Sequence, residues 1–267
     1  MPDHAHARFV ALHQGATPLL LANAWDAASA RLWQEAGAQA VATSSAAVAW
    51  SRGYADGGVL PRADLLDSLR GIVRVTSVPV TADIEDGYSD DPAEVAALVV
   101  DVVDAGAVGI NLEDGGGTPA LLAAKITAIR AALGTRPLFI NARTDVYLHG
   151  LATGVDAIAM SIERLGAYRD VGADGGFVPG LASAEDAAAI VAALPGLAIN
   201  VMAMPGLAAP AALSAAGVRR ISGGPSLFKA AFGAGETAAR AWLAGDFAPS
   251  LANTLDYARL NRLFTAG

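Results

Sequence analysis

Five carboxylates fall within nine residues of the stretch VTADIEDGYSDDPAE (80–94): Asp83, Glu85, Asp86, Asp90 and Asp91. Mutual repulsion makes such a cluster costly unless a cation, solvent or a helix end absorbs the charge. Asp91 fits a helix N-cap, Pro92 the first helical position and Glu94 the third, where it can close a capping box. Asp90 lies beside the same positive helix end. Asp83 and Glu85 have no such excuse. In an extended segment Val80, Ala82 and Ile84 share one face, and Thr81, Asp83 and Glu85 share the other.

The same alternation recurs downstream. Val108, Ile110 and Leu112 oppose Asn111 and Glu113; Leu138 and Ile140 oppose Asn141 and Arg143; Ile199 and Val201 oppose Asn200. If these strands close into a barrel, the apolar faces meet helices and the polar faces converge at the mouth. Polar groups in a barrel interior need partners. Acids, an arginine and amides gathered at strand ends describe an active site better than a core. An oxygen-only donor set suits Mg²⁺ (or Mn²⁺), which takes one or two direct protein ligands and keeps its waters. The bland alternative is a ring of salt bridges such as Glu113–Arg143.

Eight apolar runs can supply the strands: 17–25, 38–45, 78–86, 107–115, 137–145, 173–180, 197–206 and 217–225. Helical patterns lie between them, among them ADLLDSLRGIV (63–73) and AEVAALVVDVVDAG (93–106). Alternation of strand and helix implies a parallel sheet, and eight units match an α/β fold of the (β/α)8 TIM-barrel type. A doubly wound open sheet is the alternative. No linker divides the chain, so 1–267 reads as one domain. Residues 235–267 form a helical extension with Leu251, Leu255, Leu260 and Phe264 as packing positions.

The chain is 54% hydrophobic and 16% charged, which excludes a disordered polymer. A net charge of −8 argues against nucleic acid or an anionic membrane as a partner. With no cysteine, thiolate metal sites and thiol catalysis are excluded. MPDHAHARFVALHQG lacks the pattern of a secretory signal, and no apolar run is long enough to span a bilayer. The expectation is a cytoplasmic protein.

Together NAWDAASARLWQEAGAQAVATSSAA (23–47), Asp56, ADIEDGY (82–88), GINLEDG (109–115), NARTD (141–145) and INVMAMPG (199–206) resemble the isocitrate lyase/phosphoenolpyruvate mutase superfamily. The resemblance implies a (β/α)8 barrel whose eighth helix is often swapped between subunits of a homo-oligomer. It also implies an Mg²⁺ ion that chelates a 2-oxo acid. By position it makes Asp83 the direct metal ligand, with Asp56, Glu85 and Glu113 holding the metal's waters. Ser44 and Ser45, with Ala46 after them, then grip the substrate carboxylate. Arg143 meets the oxygen that becomes enolate, and Asn200 is a further substrate contact; apart from the resemblance, Trp25 follows the first strand and can floor the pocket. Glu85 stands where many relatives have Asp.

Two departures narrow the chemistry. EDGGGTPALLAAK (113–125) has no Lys-Lys-Cys-Gly-His-like loop, nor the Lys/Asn loop of the phosphonate mutases, and Gly180 stands where the lyases have Glu. Isocitrate cleavage is therefore not expected. Arg143, Asp56 and Glu113 remain as catalytic candidates for a Mg²⁺-dependent carbon–carbon lyase or decarboxylase acting on a small 2-oxo (or 2-hydroxy) dicarboxylate such as oxaloacetate. The alternatives are phosphonopyruvate or carboxyphosphonoenolpyruvate chemistry, and non-catalytic binding of a 2-oxo acid such as 2-oxoglutarate. His149 can either reach the mouth or sit exposed on its loop. Tyr88 can contact substrate or pack, and Asp26 fits a helix cap. His4, His6 and His13 read as exposed, and SGGPSLF (222–228) as a turn or a phosphate site.

Overall fold

The computed structural model describes residues 2–252 and 254–265. Eight parallel strands pair in sequence order, and the last returns to the first to close a barrel. They are β1 (Leu19–Ala24), β2 (Val41–Thr43), β3 (Val80–Asp83), β4 (Gly109–Glu113), β5 (Phe139–Arg143), β6 (Gly175–Phe177), β7 (Ala198–Met202) and β8 (Arg220–Ser222). The helices through the first half are α1 (Pro2–Leu12), α2 (Ala27–Glu35), α3 (Ser45–Ser51), α4 (Arg62–Val75), α5 (Pro92–Asp104) and α6 (Pro119–Leu133). The remainder are α7 (Gly154–Asp170), α8 (Ala184–Ala193), α9 (Pro210–Ala215), α10 (Ser226–Leu243), α11 (Ala248–Leu251) and α12 (Tyr257–Thr265).

Strand alternation sorts the side chains as the sequence pattern demands. Ile110, Leu112, Ile140, Ile199 and Val201 are fully buried among helical residues such as Leu69, Val99 and Ile126. On the inner face, register aligns Asp83 with Asn111, Asn111 with Asn141, and Asn141 with Gly175. A second row runs Arg143, Phe177, Asn200, Arg220. Gly175 is required there: a Cβ would stand 2.7 Å from Asn141 Oδ1 and 3.0 Å from Phe139.

The base of the barrel is closed by α1, which sequence reasoning does not identify. Its Phe9 is completely buried with Leu19, Leu21, Ala42, Val108 and Phe139. Removing one such aromatic from water is worth roughly 1.5–3 kcal/mol. His13 lies here too, which corrects the expectation of an exposed residue. It is buried, stacks on Phe139 at 4.3 Å between ring centroids, and its Nδ1–H donates to Phe9 O at 2.8 Å.

Two further expectations change. Asp91 caps α5 through Ala93 N–H, but Glu94 closes no capping box: it accepts from Ser89 Oγ (2.7 Å) and pairs with Arg62 (3.5 Å). In the C-terminal extension Leu251, Leu255 and Phe264 are exposed, Leu260 is half-buried, and Leu263 is the buried residue. Arg31 Nε donates to the Leu263 carbonyl and ties α12 to α2. Helix α10 runs unbroken across position 235. No helix among the described residues is long and apolar enough to cross a membrane.

Candidate active site

Asp83 closes β3 and sits buried in the mouth. Its Oδ2 accepts from the Ser45 amide (3.3 Å) and hydroxyl (3.2 Å), while its own N–H donates to Thr43 Oγ1. Ser44 is the N-cap of α3. The β2–α3 junction is thereby tied to β3 by the carboxylate the motif pointed to.

Strand parity does not deliver Glu85. The strand has ended, and Glu85 takes a left-handed backbone with φ 52°, as does Tyr88 with φ 60°. Such conformations cost non-glycine residues roughly 1–3 kcal/mol and persist where the surroundings overdetermine them. The surroundings here are specific. Glu85 Oε2 accepts from the Gly58 amide and Oε1 from the Tyr88 hydroxyl at 2.9 Å, while Lys125 Nζ holds the loop by donating to Asp86 O. Tyr88 is thus a support for Glu85.

Arg143 ends β5 and bridges two acids. Its Nη1 meets Glu113 Oε2 at 2.6 Å, and its Nε and Nη2 donate to both oxygens of Asp145. The Phe177 ring lies 5.7 Å from the guanidinium carbon. The expected Glu113–Arg143 salt bridge is therefore present, but it is one edge of a larger cluster. Asp145 was not identified from sequence, nor was the group beneath it. Asp114, wholly buried, accepts from Thr144 Oγ1, the Asp145 amide, Arg164 and the Tyr168 hydroxyl. The i, i+4 pair Arg164 and Tyr168 on α7 was the available signal, since both must face one way.

One cavity of about 390 Å³ gathers Ser45, Asp56, Glu85, Glu113, Arg143 and His149. Its charge is strongly one-signed. Burial and the neighbouring Asp83 charge push the Asp56 carboxyl up; burial also raises Glu85. Burial drives Glu113 up to about 8 against the pull of Arg143. The acids hold Arg143 above the ordinary guanidinium range despite its burial. Among the described residues no three His, Cys, Asp or Glu side chains converge into a cage for one ion. Mg²⁺ needs no such cage, because one or two direct carboxylates and a hydration shell suffice. The donor set, carboxylates that raise one another's pKa around Asp83, fits a divalent cation.

Not every candidate joins the cavity. Trp25 packs edge-on against Trp33 and Phe228, in a cluster with α10. Ala46 is buried within α3. Asn200 is fully buried inside the barrel, donating to Val201 O and Ser222 Oγ. Below Asp83 lies Arg220, also fully buried, whose Nη2 donates to Asn111 Oδ1. Burial lowers its pKa to about 9. Of two adjacent arginines in β8's GVRRIS one had to face inward, which was the missed signal. Asp26 is a helix cap, with Ser29 completing the capping box. The link from β4 to α6 spans only residues 114–118.

A parallel eight-stranded barrel with an acid-rich mouth at its strand ends defines a (β/α)8 enzyme scaffold. Residues 9–243 match the family model described as phosphoenolpyruvate phosphomutase. An uncharacterized Mycobacterium tuberculosis protein is 36% identical over 253 residues, 93% of each chain. A Burkholderia cenocepacia J2315 structure assigned provisionally as a lyase/mutase superposes with TM-score 0.89 at 35% identity, covering 99% of this chain and 97% of that one. Oxaloacetate acetylhydrolase, solved with its product oxalate, gives TM-score 0.84 at 26% identity over 97% and 93% of the two chains. The chain belongs to the phosphoenolpyruvate phosphomutase family, within the isocitrate lyase/phosphoenolpyruvate mutase superfamily of lyases and mutases.

Proposed function

We propose that this chain is a Mg²⁺- or Mn²⁺-dependent carbon–carbon lyase that decarboxylates a small 2-oxo dicarboxylic acid such as oxaloacetate. The observation that carries the reading is one cavity lined by Asp56, Glu85, Glu113 and Arg143, with Asp145 gripping Arg143 behind it and Asp83 bonded to the lining residue Ser45. Asp83 would hold the ion directly, with Asp56, Glu85 and Glu113 turned to its hydration shell. The bound ion supplies positive charge for the carboxylate and oxo oxygens of the substrate.

The remaining work falls to the protein. Ser44 and Ser45 orient the substrate carboxylate at the start of α3. Arg143, fully charged and fixed by two carboxylates, donates to the oxo oxygen as negative charge develops there. Rigid placement matters because a donor already aimed at the oxyanion needs no reorganisation during reaction. A likeness to oxaloacetate acetylhydrolase supports a small 2-oxo dicarboxylate as the substrate class.

The test is Mg²⁺-dependent pyruvate formation from oxaloacetate by wild type and Arg143→Ala. Losing one oxyanion donor costs roughly 3–4 kcal/mol, so the variant should be slower by about 10²–10³-fold. Equal rates above the metal-only background would defeat the reading. The family model favours carbon–phosphorus chemistry as the second reading; turnover of phosphonopyruvate without turnover of oxaloacetate would establish it. The short 114–118 link, with no lysine or asparagine, argues against a phosphoryl grip.

A further inference from the structure

Decarboxylation leaves C3 of the product in need of a proton, and most cavity groups are poor donors. The buried carboxylates are turned to partners of their own, Glu113 to Arg143 at 2.6 Å and Glu85 to the Gly58 amide and the Tyr88 hydroxyl, and Arg143 is held too basic to release a proton. The chain has no cysteine. The cavity wall also carries an imidazole, His149, the side-chain type most often used as a general acid.

Its position is built in two ways. The His149 amide donates to Asp145 O at 2.9 Å, and Leu151 N–H donates to Val146 O at 2.9 Å, so 145–151 form a tight turn. Asp145 therefore carries both groups: its carboxylate grips Arg143 and its carbonyl anchors the backbone of His149. The second constraint comes from the far side. Gly180 has φ +88°, and a Cβ there would lie 3.1 Å from Leu148 N and 3.1 Å from the Tyr147 carbonyl carbon. The link after β6 thus presses bare backbone against the turn, which a side chain at 180 would push away. Around the cavity the imidazole shares the wall with Asp56, Glu85, Asp86, Glu113 and Arg143. Its solvent-exposed rim position allows exchange with bulk water.

We propose that His149 is the general acid of this site, protonating C3 of the 2-oxo acid after its carboxylate leaves as CO₂. The inference rests on the decarboxylase reading above. The C3–C4 bond breaks, its electron pair passes into the C2–C3 enolate, and CO₂ departs. C3 then takes a proton from the imidazolium as the C2 carbonyl reforms, giving pyruvate. Neutral His149 recovers its proton from solvent.

The experiment uses the full chain with Mg²⁺ and compares wild type with His149→Gln. Carbon dioxide release from oxaloacetate is followed beside methyl hydrogen exchange of pyruvate in D₂O by NMR, which is the reverse of the protonation step. The expected result is a loss of pyruvate exchange by roughly a hundredfold or more. Added imidazole should restore exchange, and oxalate binding by calorimetry should be unchanged, which a folding defect or a structural role would not give. Normal exchange in His149→Gln, or loss without imidazole rescue, overturns the assignment while wild-type decarboxylation keeps the function standing. A wild type that neither releases CO₂ nor exchanges pyruvate overturns both.

Discussion

At the scale of single residues, Glu113 is held in a protonation state that a cation would change. Glu113 titrates near 8 by burial, and Asp56 and Glu85 are also raised, partly by the Asp83 charge. Cation binding at pH 7 should therefore expel protons, because ligands and their supporting carboxylates must ionise. Calorimetry of Mg²⁺ binding in two buffers of different ionisation enthalpy reads this directly. Proton release is expected for wild type, and no saturable Mg²⁺ heat for Asp83→Asn. His13 makes the opposite demand at the barrel base. Burial lowers its pKa from 6.5 to about 4, so the folded chain refuses a proton that the unfolded chain binds below 6.5. Stability should fall as pH drops through that window, by about 3 kcal/mol in all. Urea midpoints at pH 7 and pH 4.5 should converge in His13→Phe relative to wild type.

At the scale of elements, what the chain reveals of itself depends on how local the cause is. The eight strand segments and their inward parity are visible because a barrel strand with one helical and one interior face must alternate. Asp83, Glu113 and Arg143 emerge this way. Parity fails once the strand ends, so Glu85 is aimed by a left-handed turn and Asp114 by contacts with Arg164 and Tyr168 some fifty residues away. Helix α1 is invisible for the same reason: only the finished barrel defines the hole that Phe9 fills. The Asp114 network has its own measurable weight. Tyr168→Phe removes one of four partners from a fully buried carboxylate, costing roughly 1–3 kcal/mol. Thermal unfolding should register a fall of about 2–4 °C per kcal/mol for a chain of this size. Because Asp114 also receives the Asp145 amide, kcat should fall more than KM rises.

At the scale of the whole molecule, the barrel wall and the C-terminal helices differ in how well they hide apolar surface. Phe232, Trp242, Leu243, Phe247, Leu251, Tyr257 and Phe264 are all at least 45% exposed, and all lie on α10, α11, α12 or their links. Exposed apolar surface of this kind commonly marks a site of protein–protein contact. Phe228 and Phe232 stack at 3.9 Å and Trp25 joins them edge-on, so the patch continues inward to the end of β1 beside the mouth. A second copy of the chain is the occupant we propose, with these helices packed against the neighbouring barrel. Sedimentation should return a homo-oligomer for wild type. A Trp242→Asp/Leu243→Glu double variant places two charges where an apolar contact is needed, and should sediment as a monomer with its barrel still folded by circular dichroism. The same variant should lose activity at low protein concentration, because α10 is anchored through Phe228 and Trp25 to the strand end that precedes the site. A wild type that remains monomeric at all concentrations would leave the exposed aromatics without this role.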